Sequence, residues 1–192
     1  MTATRIACLA LCLAFPASTA GAQVKGHLPA GITPAWTKGI QPISRDSYWN
    51  AIECGKQPGA RPACVFWDAE LCENDEFTLA FYTPYKQVAY TVWQAVSQKR
   101  PAPTPSYAEA GRMRIIIGVK PRRGSQNPLT GLTITRGAAT VAPSSRSLDD
   151  GGGTFYFDFA AFAPTSPIML TLAGKAKTVT CAIDRGTLAR MR

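Results

Sequence analysis

The chain has 192 residues, 46% of them apolar and 17% charged, against roughly 25% charged in an average soluble domain. That length suits one ordinary domain with short appendages, and the apolar content excludes disorder over most of it. Lys plus Arg is 21 and Asp plus Glu 12, a formal charge of +9 that points to anionic partners, and 16 Gly with 15 Pro favour many short elements.

Residues 1–22 read as a cleaved export signal. Arg5 precedes an apolar run from Ile6 to Phe15, closed by Pro16 and Ser18. Ala20-Gly21-Ala22 then places small residues at the two positions a signal peptidase reads. The run is too short to cross a bilayer, which takes about 20 apolar residues. A retained N-terminal anchor is the rival; a lipoprotein is disfavoured because Leu11, not a small residue, precedes Cys12. The mature chain is expected to begin at Gln23, soluble, in the periplasm or outside the cell. Loss of Arg5 lowers the charge from +9 to +8.

Residues 23–42 carry Gly26, Pro29, Gly31, Pro34 and Gly39 and read as an extended arm or tail; residues 43–192 read as one β-rich domain. Ile43 to Gly55 is expected to be a short helix capped by Ser44, closed by a left-handed Gly55, with Tyr48, Ile52 and Trp49 as its buried stripe. Four cysteines remain after export: Cys54, Cys64, Cys72 and Cys181. An even number in an oxidising compartment implies disulfides, and four cysteines allow three pairings. The Gly/Pro-rich segment between Cys54 and Cys64 turns back easily, which favours Cys54–Cys64 and leaves Cys72 for Cys181. Zinc is disfavoured because close C-x-x-C or C-x-x-H pairs are missing, and the one histidine, His27, lies in the arm. No metal or other cofactor is expected.

Cys64 to Asp68 is a short strand candidate. Phe77 to Tyr82 alternates, with Phe77, Leu79 and Phe81 on one side. Thr83-Pro84 reads as a cap with Pro in the first turn of a helix over 84–98, whose face carries Tyr85, Val88, Ala89, Val92, Trp93 and Val96. The β-branched content of the same segment also fits a strand. Residues 101–105 are a stiff connector. Strands are expected at Met113–Val119, Leu132–Thr135, Thr140–Ala142, Thr154–Phe159, Ile168–Leu172 and Thr178–Ile183. The last two form a hairpin around Ala173-Gly174-Lys175, and Thr187–Arg192 holds a helical turn carrying Leu188. The fold class is therefore mainly β with a few helices (α+β): an antiparallel two-sheet sandwich of about six to eight short strands, helical pieces in the N-terminal half, stapled by disulfides.

Chemistry has few carriers. One histidine nearly excludes Ser-His-Asp and Cys-His arrangements, and no nucleophile-elbow, metalloprotease or phosphate-loop motif occurs. Asp68, Glu70, Glu73, Asp75 and Glu76 cluster around Cys72. They read as a solvated loop, with paired-carboxylate hydrolysis or a calcium loop as rivals. Asp149-Asp150-Gly-Gly-Gly153 reads as a turn. Arg112, Arg114 and Lys120 share a parity on the expected strand, and with Arg122 and Arg123 they suggest a basic, anion-binding stripe; a merely solvated surface is the plainer reading. Trp36, Tyr48, Trp49, Trp67, Tyr82, Tyr85, Tyr90, Trp93 and Tyr107 include candidates for sugar stacking, Trp67 and Tyr82 first, although most such residues serve cores.

The functional expectation is an exported, non-catalytic module that binds an anionic polysaccharide, a lipid headgroup or an envelope protein. Export disfavours nucleic acid. The alternatives are a small hydrolase using the carboxylates near Cys72 and a purely structural envelope protein.

Overall fold

A computed structural model describes residues 38–57, 62, 64–65, 71–102 and 106–191. The expected export signal, most of the arm with His27 and Trp36, and the segment holding Trp67, Asp68 and Glu70 lie outside the described residues.

Helix α1 spans Arg45–Gly55, and the Ser44 hydroxyl accepts from the Ser47 N–H at 3.2 Å. Tyr48, Ala51, Ile52 and Cys54 are buried, but Trp49 faces out. Gly55 is not a left-handed terminator. It is the last helical residue, and Lys56 follows it with φ −73°. The demand for glycine comes from packing: a Cβ there would overlap the Ala89 carbonyl and the Val92 side chain. Strand β1 spans Phe77–Tyr82 and helix α2 Pro84–Ser97. Thr83 Oγ1 accepts from the Lys86 N–H at 3.2 Å, so the cap and Pro84 decide for helix over strand.

A short helix α3 (Tyr107–Ala110) precedes β2 (Ile115–Pro121). Then come β3 (Leu129–Arg136), β4 (Ala139–Val141), β5 (Ser145–Asp149) and β6 (Gly152–Phe157). A 3-10 turn (Phe159–Phe162), β7 (Ile168–Gly174), β8 (Thr178–Ile183) and α4 (Arg185–Arg190) complete the order. The strands form two four-stranded sheets, β1-β2-β6-β5 and β4-β3-β7-β8, with every pairing antiparallel. This is the two-sheet α+β architecture expected from the pattern of short strands.

β5 is not foreseen in the sequence pattern, the turn expected at Asp149–Gly153 is present but shorter, and the strand expected to reach Phe159 ends at Phe157. β5 has no apolar alternation because it is an edge strand exposed along its whole length; pairing with β6 alone makes it a strand. Asp150 and Gly151, both at positive φ (43° and 75°), form the two-residue turn that joins β5 to β6. Phe159 leaves the strand for the 3-10 turn, while Phe155 and Phe157 point inward as expected.

The main core fills the space between the sheets. Phe77, Phe81, Ile115, Ile117, Phe155 and Phe157 from the first sheet meet Leu132, Ile134, Leu170, Leu172 and Ile183 from the second. Phe162 closes one end, edge-on to Phe81 and Phe157 with centroids 6.0 Å from each. A second cluster joins α1, α2 and α3 through Tyr48, Ile52, Tyr85, Val88, Ala89, Val92 and Ala110. The end of the arm enters the main core: Ile40 is buried, and the Gly39 N–H donates to the Ala189 carbonyl at 3.1 Å. The cap of α4 is Asp184, whose carboxylate accepts from the Thr187 hydroxyl (2.6 Å) and N–H (2.9 Å). Those bonds hold Asp184 below the usual carboxylate range.

Disulfides join Cys54 to Cys64 and Cys72 to Cys181, with Cα separations of 6.6 and 5.4 Å. The first ties the end of α1 to the loop after it. The second fastens the segment before β1 to β8. Each of those strands is an edge of its sheet among the described strands, so the bridge closes one side of the sandwich.

Candidate functional site

One end of the sandwich collects most of the charged candidates. Strands β1, β3, β6 and β8 begin there, and β2 and β7 end there. The organising residue is Asn127, 3% exposed. Its Oδ1 accepts from the N–H groups of Ala176 (2.8 Å) and Lys177 (3.1 Å), and its Nδ2 donates to the Lys177 carbonyl (2.8 Å). The Lys175 N–H donates to the Pro128 carbonyl at 2.8 Å. A Cβ at Gly174 would overlap the Asn127 amide, so glycine lets the β7–β8 turn lie against the β2–β3 loop. The turn carrying Lys175 and Lys177 is thereby fastened to the loop carrying Arg122 and Arg123, at the end of the sandwich where β2 carries Lys120 on its outer face. Sequence reasoning missed both lysines. The Asn127-Pro128 turn signal was visible, but nothing in it names the hairpin that it holds.

The carboxylates at this end are partly committed. The Glu76 carboxylate accepts from the Ser125 hydroxyl at 2.8 Å and lies 3.9 Å from Lys177 Nζ, while its carbonyl accepts from the Arg122 N–H at 2.8 Å. Asn74 Oδ1 accepts from the N–H groups of Glu76 (2.9 Å) and Phe77 (2.7 Å), which sets the entry to β1. Glu73 and Asp75 are exposed beside it, while Asp149 ends β5 and Asp150 sits on the β5–β6 turn. The loop end is thus a band of cations flanked by acids on both sides. Among the described residues, no group of three or more His, Cys, Asp or Glu is placed to hold a metal ion.

Arg112 and Arg114 do not join this band. β2 begins at Ile115, so Arg112 falls in the turn after α3 and Arg114 just before the strand. Arg114 Nη1 donates to Ser144 Oγ at 2.9 Å, and its Nε lies 3.7 Å from the Asp158 carboxylate. The expected single stripe is therefore split across the length of β2, about 20 Å for its seven residues.

The aromatic candidates divide into two groups. Tyr82, Tyr90 and Trp93 form a chain of rings with centroids 5.9 and 5.7 Å apart, and Lys86 Nζ sits 5.1 Å from the Tyr82 centroid. This group seats α2 beside the end of β1. The other group is Tyr48, Trp49 and Tyr107. Tyr48 is buried and stands edge-on to both neighbours, 5.4 Å from Trp49 and 5.6 Å from Tyr107. Burial, and then the Glu109 carboxylate, pushes the Tyr48 phenol above its ordinary value. Trp49 and Tyr107 are 51% and 44% exposed.

No family model matches the chain, and neither the curated proteins nor the solved structures give a match. Among the described residues no helix is long and apolar enough to cross a membrane.

Proposed function

We propose that this chain is an exported, non-catalytic β-sandwich module that binds an anionic surface or polymer through the loop end built on Asn127. The observation that carries the reading is the fastening of the β7–β8 turn, with Lys175 and Lys177, to the β2–β3 loop, with Arg122 and Arg123, at the end of the sandwich where β2 carries Lys120. Four cations on two neighbouring, hydrogen-bonded loops, with Lys120 at the end of β2, are a better anion receptor than the same charges on a mobile segment, because little further ordering is needed on binding. The flanking acids confine the positive field to the middle of this end and favour a narrow polyanion such as an acidic polysaccharide strand or a row of lipid phosphates. Two disulfides suit an oxidising compartment, in keeping with export.

Binding to phosphatidylglycerol vesicles or polygalacturonate is expected at low salt. It should weaken steeply as salt is added, since exposed charges are screened beyond about 8 Å at physiological ionic strength. The triple variant R122S/R123S/K175S should lose most of it, and R112S/R114S should keep it. Equal binding by the triple variant, or no binding at low salt, overturns the proposal.

Export has its own test. N-terminal sequencing of the material found outside the cytoplasm should begin at Gln23. A mature protein that retains Leu9 to Phe15 would overturn the cleaved, soluble form.

A further inference from the structure

We propose a second binding site, separate from the loop end, in which Trp49 and Tyr107 stack against the sugar rings of a neutral, β-linked glycan. Large aromatic side chains are normally drawn into a core, and Tyr48, the sequence neighbour of Trp49, follows that rule. Trp49 and Tyr107 do not: about half of each remains in water. Both are nevertheless held in place. Each packs edge-on against the one buried Tyr48 ring, and the Tyr107 hydroxyl donates to the Ile43 carbonyl at 3.3 Å. Two rings fixed by a third lose little freedom when a ligand covers them, which is the condition under which exposed Trp and Tyr become binding anchors.

The surrounding charge selects the class of ligand. α1, α3 and their adjoining turns carry Arg45, Lys56 and Arg112 against Asp46, Glu53 and Glu109, three of each sign. Lys56 and Glu53 are already paired at 2.7 Å. This face has no net field to draw an anionic bilayer or polyanion, unlike the loop end. It offers apolar ring surface on two helices whose charged side chains, with those of the adjoining turns, balance. A β-linked glucose or N-acetylglucosamine unit fits that combination, because its equatorial substituents leave a flat C–H face for the rings and hydroxyls at the rim for the polar groups.

The test is calorimetric titration of the mature protein, at high salt, with cellohexaose and separately with N-acetylchitohexaose. Saturable binding to at least one is expected; the sugar preferred tells whether the acetamido group is read. Trp49→Ala and Tyr107→Ala should each weaken it about ten-fold or more, equivalent to about 1.4 kcal/mol per decade. Tyr107→Phe, which keeps the ring, should bind as the parent does. R122S/R123S/K175S should also bind the sugar normally, so failure of the anionic site and of this one are separable. Trp49 is exposed enough for the alanine variant to fold, as an unchanged circular dichroism spectrum will establish. Absence of binding to both sugars at millimolar concentration, or equal binding by Trp49→Ala, overturns the proposal.

Discussion

Cys181→Ser is expected to be the most damaging cysteine substitution, costing about 5 kcal/mol against about 2.5 kcal/mol for Cys54→Ser. The difference comes from the unfolded chain. The Cys72–Cys181 bridge spans 109 residues and the Cys54–Cys64 bridge 10, and closing a longer loop removes more conformational freedom from the unfolded ensemble. The native position points the same way. Cys72 and Cys181 are both buried in the main core, where the bridge holds the β1 and β8 edges together. Chemical denaturation of each oxidised variant measures the difference, and one free thiol should appear in each. Equal losses would mean that the long bridge does not act through loop closure. A peptide linking Cys64 to Cys72 in a non-reducing digest would overturn the pairing itself.

Phe162→Ala should cost about 3–5 kcal/mol, the range for removing a fully buried phenylalanine. Its ring bridges Phe81 of β1 and Phe157 of β6, edge-on to both, so the substitution deletes two aromatic pairs and opens a cavity at the end of the sandwich. At this chain length, each kcal/mol shifts the thermal midpoint by about 2–4 °C. The variant should therefore melt at least about 6 °C lower. Phe162→Leu refills most of the volume and should lose much less. If the alanine variant melts within about 2 °C of the parent, the 3-10 turn is not a plug for the core.

Most elements could be read from the sequence wherever a local rule and the tertiary environment agreed. Thr83-Pro84 starts α2 because a hydroxyl and an imino ring satisfy the first turn in any context. Phe77, Phe81, Phe155 and Phe157 face inward because the strand period of two puts them there. Errors fell where the deciding partner was distant. Trp49 looked like part of the buried stripe of α1, since side-chain identity carries no information about which face α2 covers. Gly55 resembled a helix terminator, whereas its lack of a side chain serves the approach of α2. β5 had no pattern of its own, because an edge strand exposed on both faces is selected by the backbone pairing that β6 offers.

The candidate sites divide along the same line. Composition and order determined a basic, disulfide-linked chain of short strands, and the Gly/Pro-rich segment after Cys54 favoured the local bridge. These are properties of covalent spacing and periodicity, which the sequence contains in full. Only the tertiary structure decided which charges and rings share a surface. Arg112 and Arg114 separate from Lys120 because β2 begins one residue after Arg114. Lys175 and Lys177 join Arg122 and Arg123 because the Asn127 amide satisfies a turn about 50 residues away. Trp49 and Tyr107 meet at Tyr48 because α1 and α3 pack together. Each grouping depends on a contact between residues far apart in the chain, and such a contact forms only after the free energy of the whole core has overcome the entropy of closing the loop between them.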